Sequence, residues 1–159
     1  MLGLLKQKGQ NKMNYKIYKA TIKDLDDMYN MQKNEPNLLI SYDALKSDLQ
    51  DKNKLYFITK DEKGNINSFA GISLLVDHID IENILVKEEY KKLKIASFLL
   101  NTIIEYCKKG NISKLFLEVR TSNLPAINLY EKFNFKNIAI RRNYYPDNNE
   151  DAYVYMLEM

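Results

Sequence analysis

The stretch from residue 114 to residue 135 constrains the fold of this 159-residue chain more than any other. It begins with an alternating apolar run and then passes through Asn123, a good N-cap residue, into a helical spacing of apolar side chains. Asn134 follows that spacing, and asparagine tolerates the left-handed conformation that often ends a helix. The stretch therefore predicts a strand, a capped helix and a second strand in direct succession.

The rest of the chain supplies further elements for a mixed sheet. Thr21, with Asp24 three residues later, is typical of a helix start, Gly110 is typical of a helix end, and residues 61–65 have the composition of a hairpin turn. The predicted order is one strand, two helices, three strands, a helix, a strand, a helix and two strands, which implies an α/β fold with one central sheet and helices on both faces. The predicted strands are 15–20, 54–60, 67–76, 79–86, 114–120, 135–142 and 151–158, and the predicted helices are 21–33, 42–50, 95–109 and 124–133.

Composition indicates one globular domain and argues against several functional classes. Hydrophobic residues make up 45% and charged residues 28% of the chain, and a net charge of +3 is too small to indicate a nucleic-acid partner. The single cysteine, Cys107, fits a reducing cytoplasm, and a single histidine, His78, supplies few ligands for a His-rich metal site. No apolar run reaches the ~20 residues of a membrane helix. We expect a cytoplasmic domain over residues 14–159, after a polar lead-in at 1–13, with no metal, nucleic acid or membrane partner.

Three segments resemble one enzyme family. Residues 117–135, 141–146 and 150–153 are similar to the GNAT family of N-acetyltransferases, and within it to the ribosomal-protein-alanine N-acetyltransferase (RimI) branch. The similarity runs from about residue 14 to the C-terminus. It implies a sheet that is splayed between its fourth and fifth strands to admit the pantetheine arm of acetyl-CoA. It also implies direct acetyl transfer to a primary amine in a ternary complex, without an acyl-enzyme.

The resemblance assigns separate roles to a carboxylate and a phenol. It implies that Glu118 accepts the amine proton and that Tyr130, with a reference pKa of ~10, protonates the departing thiolate. It further implies that a backbone N–H near Leu85 and Val86 polarises the thioester carbonyl, and that Asn123 lies near the cofactor. Without this context, Glu118 would be a solvated charge at a strand end and Tyr130 a core residue.

The segment from residue 89 to residue 96 stands where the family binds the pyrophosphate of coenzyme A. The family pattern there is Gln/Arg-x-x-Gly-x-Gly/Ala, and this chain departs from it with Lys91 at the first position and Lys94 at the first glycine. A lysine at the glycine position can crowd the cofactor, or it can add a cation beside the diphosphate. The alternative is an exposed basic turn without a ligand. The residues that the resemblance places against the cofactor here are Lys91, Lys92, Leu93, Lys94, Ile95, Ala96 and Ser97.

The acceptor of the acetyl group is less well defined. The resemblance implies that Arg142, Tyr144 and Tyr145, between the last two strands, contact it. Residues 34–41 lack the Phe/Pro/Trp-rich composition that many relatives have at the acceptor pocket. Three functions therefore stay open: acetylation of a protein N-terminal α-amine, acetylation of a lysine or a small amine such as a polyamine or aminoglycoside, and a non-catalytic acyl-CoA-binding module. A strongly acidic acceptor groove would favour the second. The chain is expected to be a monomer or a homodimer.

Overall fold

The computed structural model describes residues 15–35 and 40–159. The predicted lead-in at 1–13 and the centre of the predicted loop at 34–41 lie outside the described residues. The described chain forms seven strands and four α-helices. The strands are β1 (Ile17–Lys19), β2 (Lys54–Lys60), β3 (Ile66–Leu74), β4 (Ile79–Val86), β5 (Lys114–Arg120), β6 (Lys136–Tyr145) and β7 (Glu150–Glu158), and the helices are α1 (Leu25–Gln32), α2 (Tyr42–Gln50), α3 (Ile95–Lys109) and α4 (Leu124–Lys132).

The strands form one sheet in the order β1-β2-β3-β4-β5-β7-β6. Only β4 and β5 are parallel, and they pair at three positions, from Ile79 with Leu115 to Ile81 with Leu117. Both strands continue beyond this point, β4 against β3 and β5 against β7, so a gap opens between them. The predicted splay between the fourth and fifth strands is confirmed.

Helices cover the sheet on both faces, as the element order predicted. On one face α3 and α4 pack against the strands through fully buried side chains such as Leu99 and Ile103. On the other face α1 and α2 bury Met28 and Leu45 against Phe69 and its neighbours. None of the helices that the structure describes has the length and apolar composition that a membrane span needs.

Two element ends differ from the prediction by three or more residues. Thr21 and Asp24 form the expected capping box, but it closes a single 3-10 turn, and α1 begins only at Leu25. Strand β6 continues to Tyr145, three residues beyond its predicted end, because the chain bulges and then resumes pairing with β7. Asn143 sits in this bulge with φ 51°, and its N–H donates to the Asp151 carboxylate at 2.8 Å.

Candidate active site

The gap between β4 and β5 is a cleft of ≈ 560 Å³. Its walls come from the second half of each strand, the start of α4, the end of β6 and Glu35 after α1. Both predicted catalytic residues, Glu118 and Tyr130, line it, as do Tyr144 and Tyr145. The splayed sheet therefore brings together side chains from three predicted segments.

Glu118 reaches the cleft from β5. Its neighbour across the sheet is Val154 of β7, and its side chain is 32% exposed, so the carboxylate keeps contact with solvent. One carboxylate oxygen, Oε1, forms an ion pair with Nε of Arg141 at 3.1 Å. The sequence analysis did not identify Arg141, because this partner lies two strands away in the sheet. A solvent-accessible carboxylate in this position can accept a proton from a nearby amine.

Tyr130 is held by the packing of α4. Asn123 caps this helix, since its side-chain oxygen accepts from the Ala126 N–H at 3.3 Å. The Tyr130 ring is 8% exposed and packs against the rings of Phe135 and Tyr155 at centroid distances of 5.8 and 6.4 Å. Burial raises the pKa of Tyr130 to about 12, because the phenolate would be poorly solvated there. A neutral phenol therefore faces the cleft over the whole physiological pH range.

The backbone of β4 offers donors along its open edge. Lys87 N donates to Asn67 O at 3.0 Å, which directs the Lys87 amide towards β3. Because successive strand residues present their backbone groups to opposite edges, the N–H groups of Val86 and Ile84 face the gap, whereas that of Leu85 faces β3. Val86 therefore fits the predicted carbonyl-polarising role better than Leu85 does. Ile84, which the sequence analysis did not identify, lines the cleft.

The predicted pyrophosphate segment lies before and within the first turn of α3. Lys92 (φ 63°) and Lys94 (φ 62°) are both left-handed, so Lys94 keeps the conformation for which glycine is usual. Lys91 is paired with Glu88 at 2.5 Å and with Glu35 at 3.9 Å. Among the described residues, no carboxylate lies within ion-pair distance of Lys92 or Lys94. Ile95, the first residue of α3, begins the turn whose N–H groups have no intrahelical acceptor.

The rest of this segment lies where the prediction put it, at the start of α3 rather than in the β4–β5 cleft. Leu93 O accepts a hydrogen bond from the Tyr15 hydroxyl at 3.1 Å, which ties the loop to the chain just before β1. Ala96 and Ser97 are half-buried in the first turn of the helix. The cleft and the start of α3 are thus two separate parts of the candidate site.

Of the predicted acceptor residues, two line the cleft and one does not. The rings of Tyr144 and Tyr145 stand edge to face at 5.1 Å at the end of β6. Arg142 is 72% exposed, does not line the cleft and pairs with Asp151 at 2.6 Å. This difference follows from the bulge at Asn143, which changes the register of the strand after Arg141.

Charge in the cleft is mixed rather than strongly acidic. Glu35, Glu82 and Glu118 line it together with Arg120, and Arg141 pairs with Glu118. The sequence analysis missed Glu35, Glu82 and Arg120 as lining residues. Only Arg120 carried a signal, since it stands in the segment that bears the resemblance.

Comparisons with known proteins agree with this geometry. The chain matches the acetyltransferase (GNAT) family over residues 22–135. It is 32% identical, over 84% of this chain and 88% of the relative, to a Bacillus subtilis (strain 168) protein named provisionally as a [ribosomal protein bS18]-alanine N-acetyltransferase. It is 28% identical to the N-alpha-acetyltransferase of Sulfolobus acidocaldarius, over 91% of this chain and 93% of that protein. The crystal structure of the ribosomal-protein-S18-alanine N-acetyltransferase from Escherichia coli superposes with a TM-score of 0.84 and 31% identity, over 91% of this chain and 93% of that one.

Proposed function

The chain belongs to the acetyltransferase (GNAT) family and is an acyltransferase, and from that premise we propose that it transfers acetyl from acetyl-CoA to a protein N-terminal α-amine. The observation that carries this proposal is that Glu118 and Tyr130 both line the cleft between β4 and β5, with Tyr144 and Tyr145 at its rim. A carboxylate and a neutral phenol on one cleft provide the acceptor and the donor of protons that amine acylation needs.

The residues present fit acetyl-CoA, which supplies an activated acetyl thioester when bound. The unpaired edge of β4 offers the N–H groups of Ile84 and Val86 to a carbonyl oxygen or to an extended amide chain. The first turn of α3 offers N–H donors to a diphosphate, and the cations of Lys92 and Lys94 are available beside it. Lys91 is already neutralised by Glu88 and Glu35, so we assign the cationic contribution to the two left-handed lysines.

Two proton movements complete the proposed chemistry. Glu118 takes a proton from the acceptor amine at its carboxylate, and Tyr130 gives its hydroxyl proton to the sulfur that leaves. An α-amine, with a reference pKa of ~7.7–8.0, gives its proton to Glu118 more readily than a lysine, with a reference pKa of ~10.4, does. Transfer is direct, with amine and thioester held together in the cleft.

The rim of the cleft supports a peptide as acceptor. The rings of Tyr144 and Tyr145 are rigid, and each carries one hydroxyl that can bond peptide backbone while the ring lines a slot. The names of the Bacillus, Escherichia and Sulfolobus relatives point to the same class of acceptor, with a ribosomal protein that begins with alanine as the first candidate. The mixed charge of the cleft gives no support to a polyamine acceptor.

A peptide-panel assay tests the proposal. Peptides with free α-amines, among them an alanine-initiated ribosomal sequence, are incubated with acetyl-CoA beside α-blocked peptides that offer only lysine. Intact mass should show one added acetyl group on the free α-amine alone. Acetylation confined to the α-blocked lysine peptides would refute an α-amine acceptor and favour lysine or a small amine as the acceptor.

Two variants then test the residue roles on the accepted peptide. Tyr130→Phe and Glu118→Gln should each lower kcat on the order of 10²–10⁴-fold, the usual contribution of a general acid or base. The affinity of Tyr130→Phe for acetyl-CoA should stay near that of the wild type. Glu105→Gln, the same change in an exposed pair with Lys108 on α3, serves as the control and should leave kcat unchanged. Rates within a few-fold of wild type for both cleft variants would refute these roles.

A further inference from the structure

Arg120 and Glu150 lie in two of the three segments that carry the family resemblance, yet neither has a part in the proton movements above. Arg120 ends β5 and Glu150 begins β7, directly after the turn at 146–149. The Arg120 guanidinium is only 12% exposed and makes contacts at both ends of that turn. Its Nη1 donates to Glu150 Oε2 at 3.1 Å, and its Nη2 donates to Asp147 Oδ1 at 2.8 Å.

Glu150 extends these contacts to the start of α4. Its Oε1 accepts from the Ser122 N–H at 2.9 Å and lies 3.4 Å from the Thr121 hydroxyl. The hydrogen bonds from Ser122 and then the one from Arg120 lower the pKa of Glu150 to about 2. The Arg120–Glu150 pair therefore stays ionised throughout the physiological pH range, and it joins the β6–β7 turn to the β5–α4 junction.

Arg120 also contacts the cleft through an aromatic ring. Its guanidinium carbon lies 3.8 Å from the centroid of the Tyr145 ring, within the range of a cation–π contact. Tyr145 depends on such a contact more than a residue inside a regular ladder would. Strand β6 is an edge strand, and its pairing with β7 is interrupted between Arg141 and Tyr145. Beyond the interruption the Asn149 N–H donates to Tyr145 O at 2.8 Å, which holds the backbone of Tyr145 but does not set the orientation of its ring.

We infer that Arg120 and Glu150 are positioning residues, which close the β6–β7 turn onto the β5–α4 junction and hold the Tyr145 ring at the acceptor end of the cleft. The consequence for catalysis rests on the proposed function, because it requires that Tyr145 contacts the acceptor. The position of the ring itself does not, so it can be measured without any substrate.

The first test observes the ring directly. Protein with isotope-labelled tyrosine rings gives NMR signals, and the Tyr145 signal is the one that Tyr145→Phe removes. This signal should shift and broaden in Glu150→Gln, which keeps the shape of the side chain but loses its charge. It should stay in place in Glu105→Gln, the same change at an exposed site. If Glu150→Gln does not fold, Asp147→Asn at the more exposed end of the same contacts should give a smaller shift in the same direction.

The second test separates positioning from general damage. With an accepted peptide, Glu150→Gln should raise the peptide KM roughly tenfold, as loss of one ordered contact at a binding site does. The KM for acetyl-CoA and kcat should stay within about twofold, since Tyr130 and Glu118 are untouched. Arg120→Lys, which keeps the charge but not the planar guanidinium, should retain only part of the wild-type peptide affinity.

Each outcome decides the inference. An unmoved Tyr145 signal in a folded Glu150→Gln or Asp147→Asn protein overturns it, whatever the activity. A moved signal with an unchanged peptide KM, or with an equal loss in kcat and both KM values, also overturns it. If the wild type acetylates no peptide at all, the proposed function fails, and the Tyr145 signal still decides whether Arg120 and Glu150 position the ring.

Discussion

Replacing Lys94 with glycine is expected to stabilise the fold, because Lys94 holds a backbone conformation that side chains disfavour. At φ 62° and ψ 17° it lies in the left-handed region, which costs an L-residue about 1–2 kcal/mol. Glycine has more conformational freedom than lysine in the unfolded chain, which cancels about 0.4–1 kcal/mol of the stabilisation gained by relieving that cost. Removing a cation from the positive N-terminal end of the α3 dipole stabilises the fold by a further amount of about 0.3–1 kcal/mol. The net gain is about 1 kcal/mol, or a rise in Tm of roughly 2–4 °C for a chain of this size.

Thermal unfolding followed by circular dichroism measures this gain, and Lys94→Ala is the matched control. Alanine removes the same charge but keeps the Cβ atom that makes the left-handed conformation costly. The Tm should therefore rise in the order wild type, alanine variant, glycine variant. A glycine variant that melts at or below the alanine variant would show that the left-handed backbone at Lys94 carries no strain.

The same pair of variants tests the role of the Lys94 charge in cofactor binding. If the cation contacts the diphosphate, both variants should bind acetyl-CoA about fivefold more weakly in calorimetry, equivalent to about 1 kcal/mol. The difference should shrink at high salt, because exposed charges are screened. Tighter binding by the glycine variant would instead mean that the lysine crowds the site. An absence of binding by all three proteins would contradict the acetyltransferase proposal.

Three further measurements test the site and the packing beneath it. Because burial holds the pKa of Tyr130 at about 12, kcat should not fall between pH 8 and pH 10 through loss of its proton; a Tyr130-dependent decline near its ordinary value of 10 would contradict the assignment. Glu150 titrates at about 2 in the folded protein instead of 4.5, so its stabilisation is present above pH 4.5 and is lost as the pH falls through 2. The deficit of Glu150→Gln in urea unfolding should therefore close over that window, and an equal deficit at pH 2 and pH 7 would refute the linkage. Gly71→Ala should lower Tm by roughly 4–8 °C, the effect of about 2 kcal/mol of overpacking. The new Cβ would lie 2.6 Å from the buried Tyr56 ring, whose hydroxyl is bonded to Asp48. An unchanged Tm would show that the ring can move.

Periodicity predicted the elements whose environment is uniform along their length. The predicted bounds of α2, β2, β4, α3 and β5 agree with the structure at both ends, because each has one regular pattern between clear stop signals. The predicted end of β6 was wrong because nearly every residue of this edge strand is exposed, so the sequence has no alternation of buried and exposed residues there. Its continuation to Tyr145 depends on pairing with β7 and on the bond from Asn143 to Asp151. Such tertiary contacts have no local signature.

The candidate site divides in a similar way. Glu118 and Tyr130 were predicted to share a site because a short motif carries both, and the structure places both on one cleft. Arg141, the partner of Glu118, was missed because a strand separates the two in the sheet. The start of α3 shows how a departure from the family pattern can be tolerated. Lys94 replaces a glycine, yet the backbone keeps the left-handed conformation, and backbone N–H donors do not depend on the side chain.

The contacts of Arg120 link two of the three segments that resemble the family. Arg120 and Glu150 are separated by 30 positions, but the antiparallel pairing of β5 with β7 brings their strand ends together. Arg120 is largely buried, so loss of Glu150 would leave its charge paired with the more exposed Asp147 alone among the described carboxylates, whereas loss of Arg120 and Glu150 together would remove the charge as well. Substitutions at the two positions should therefore be strongly coupled, as they are for residues of one network. On this argument the segment with Glu118 and the segment with Tyr145 form one structural unit, and under the proposed function the residues around Arg120 would position the acceptor against Glu118, which would take its proton.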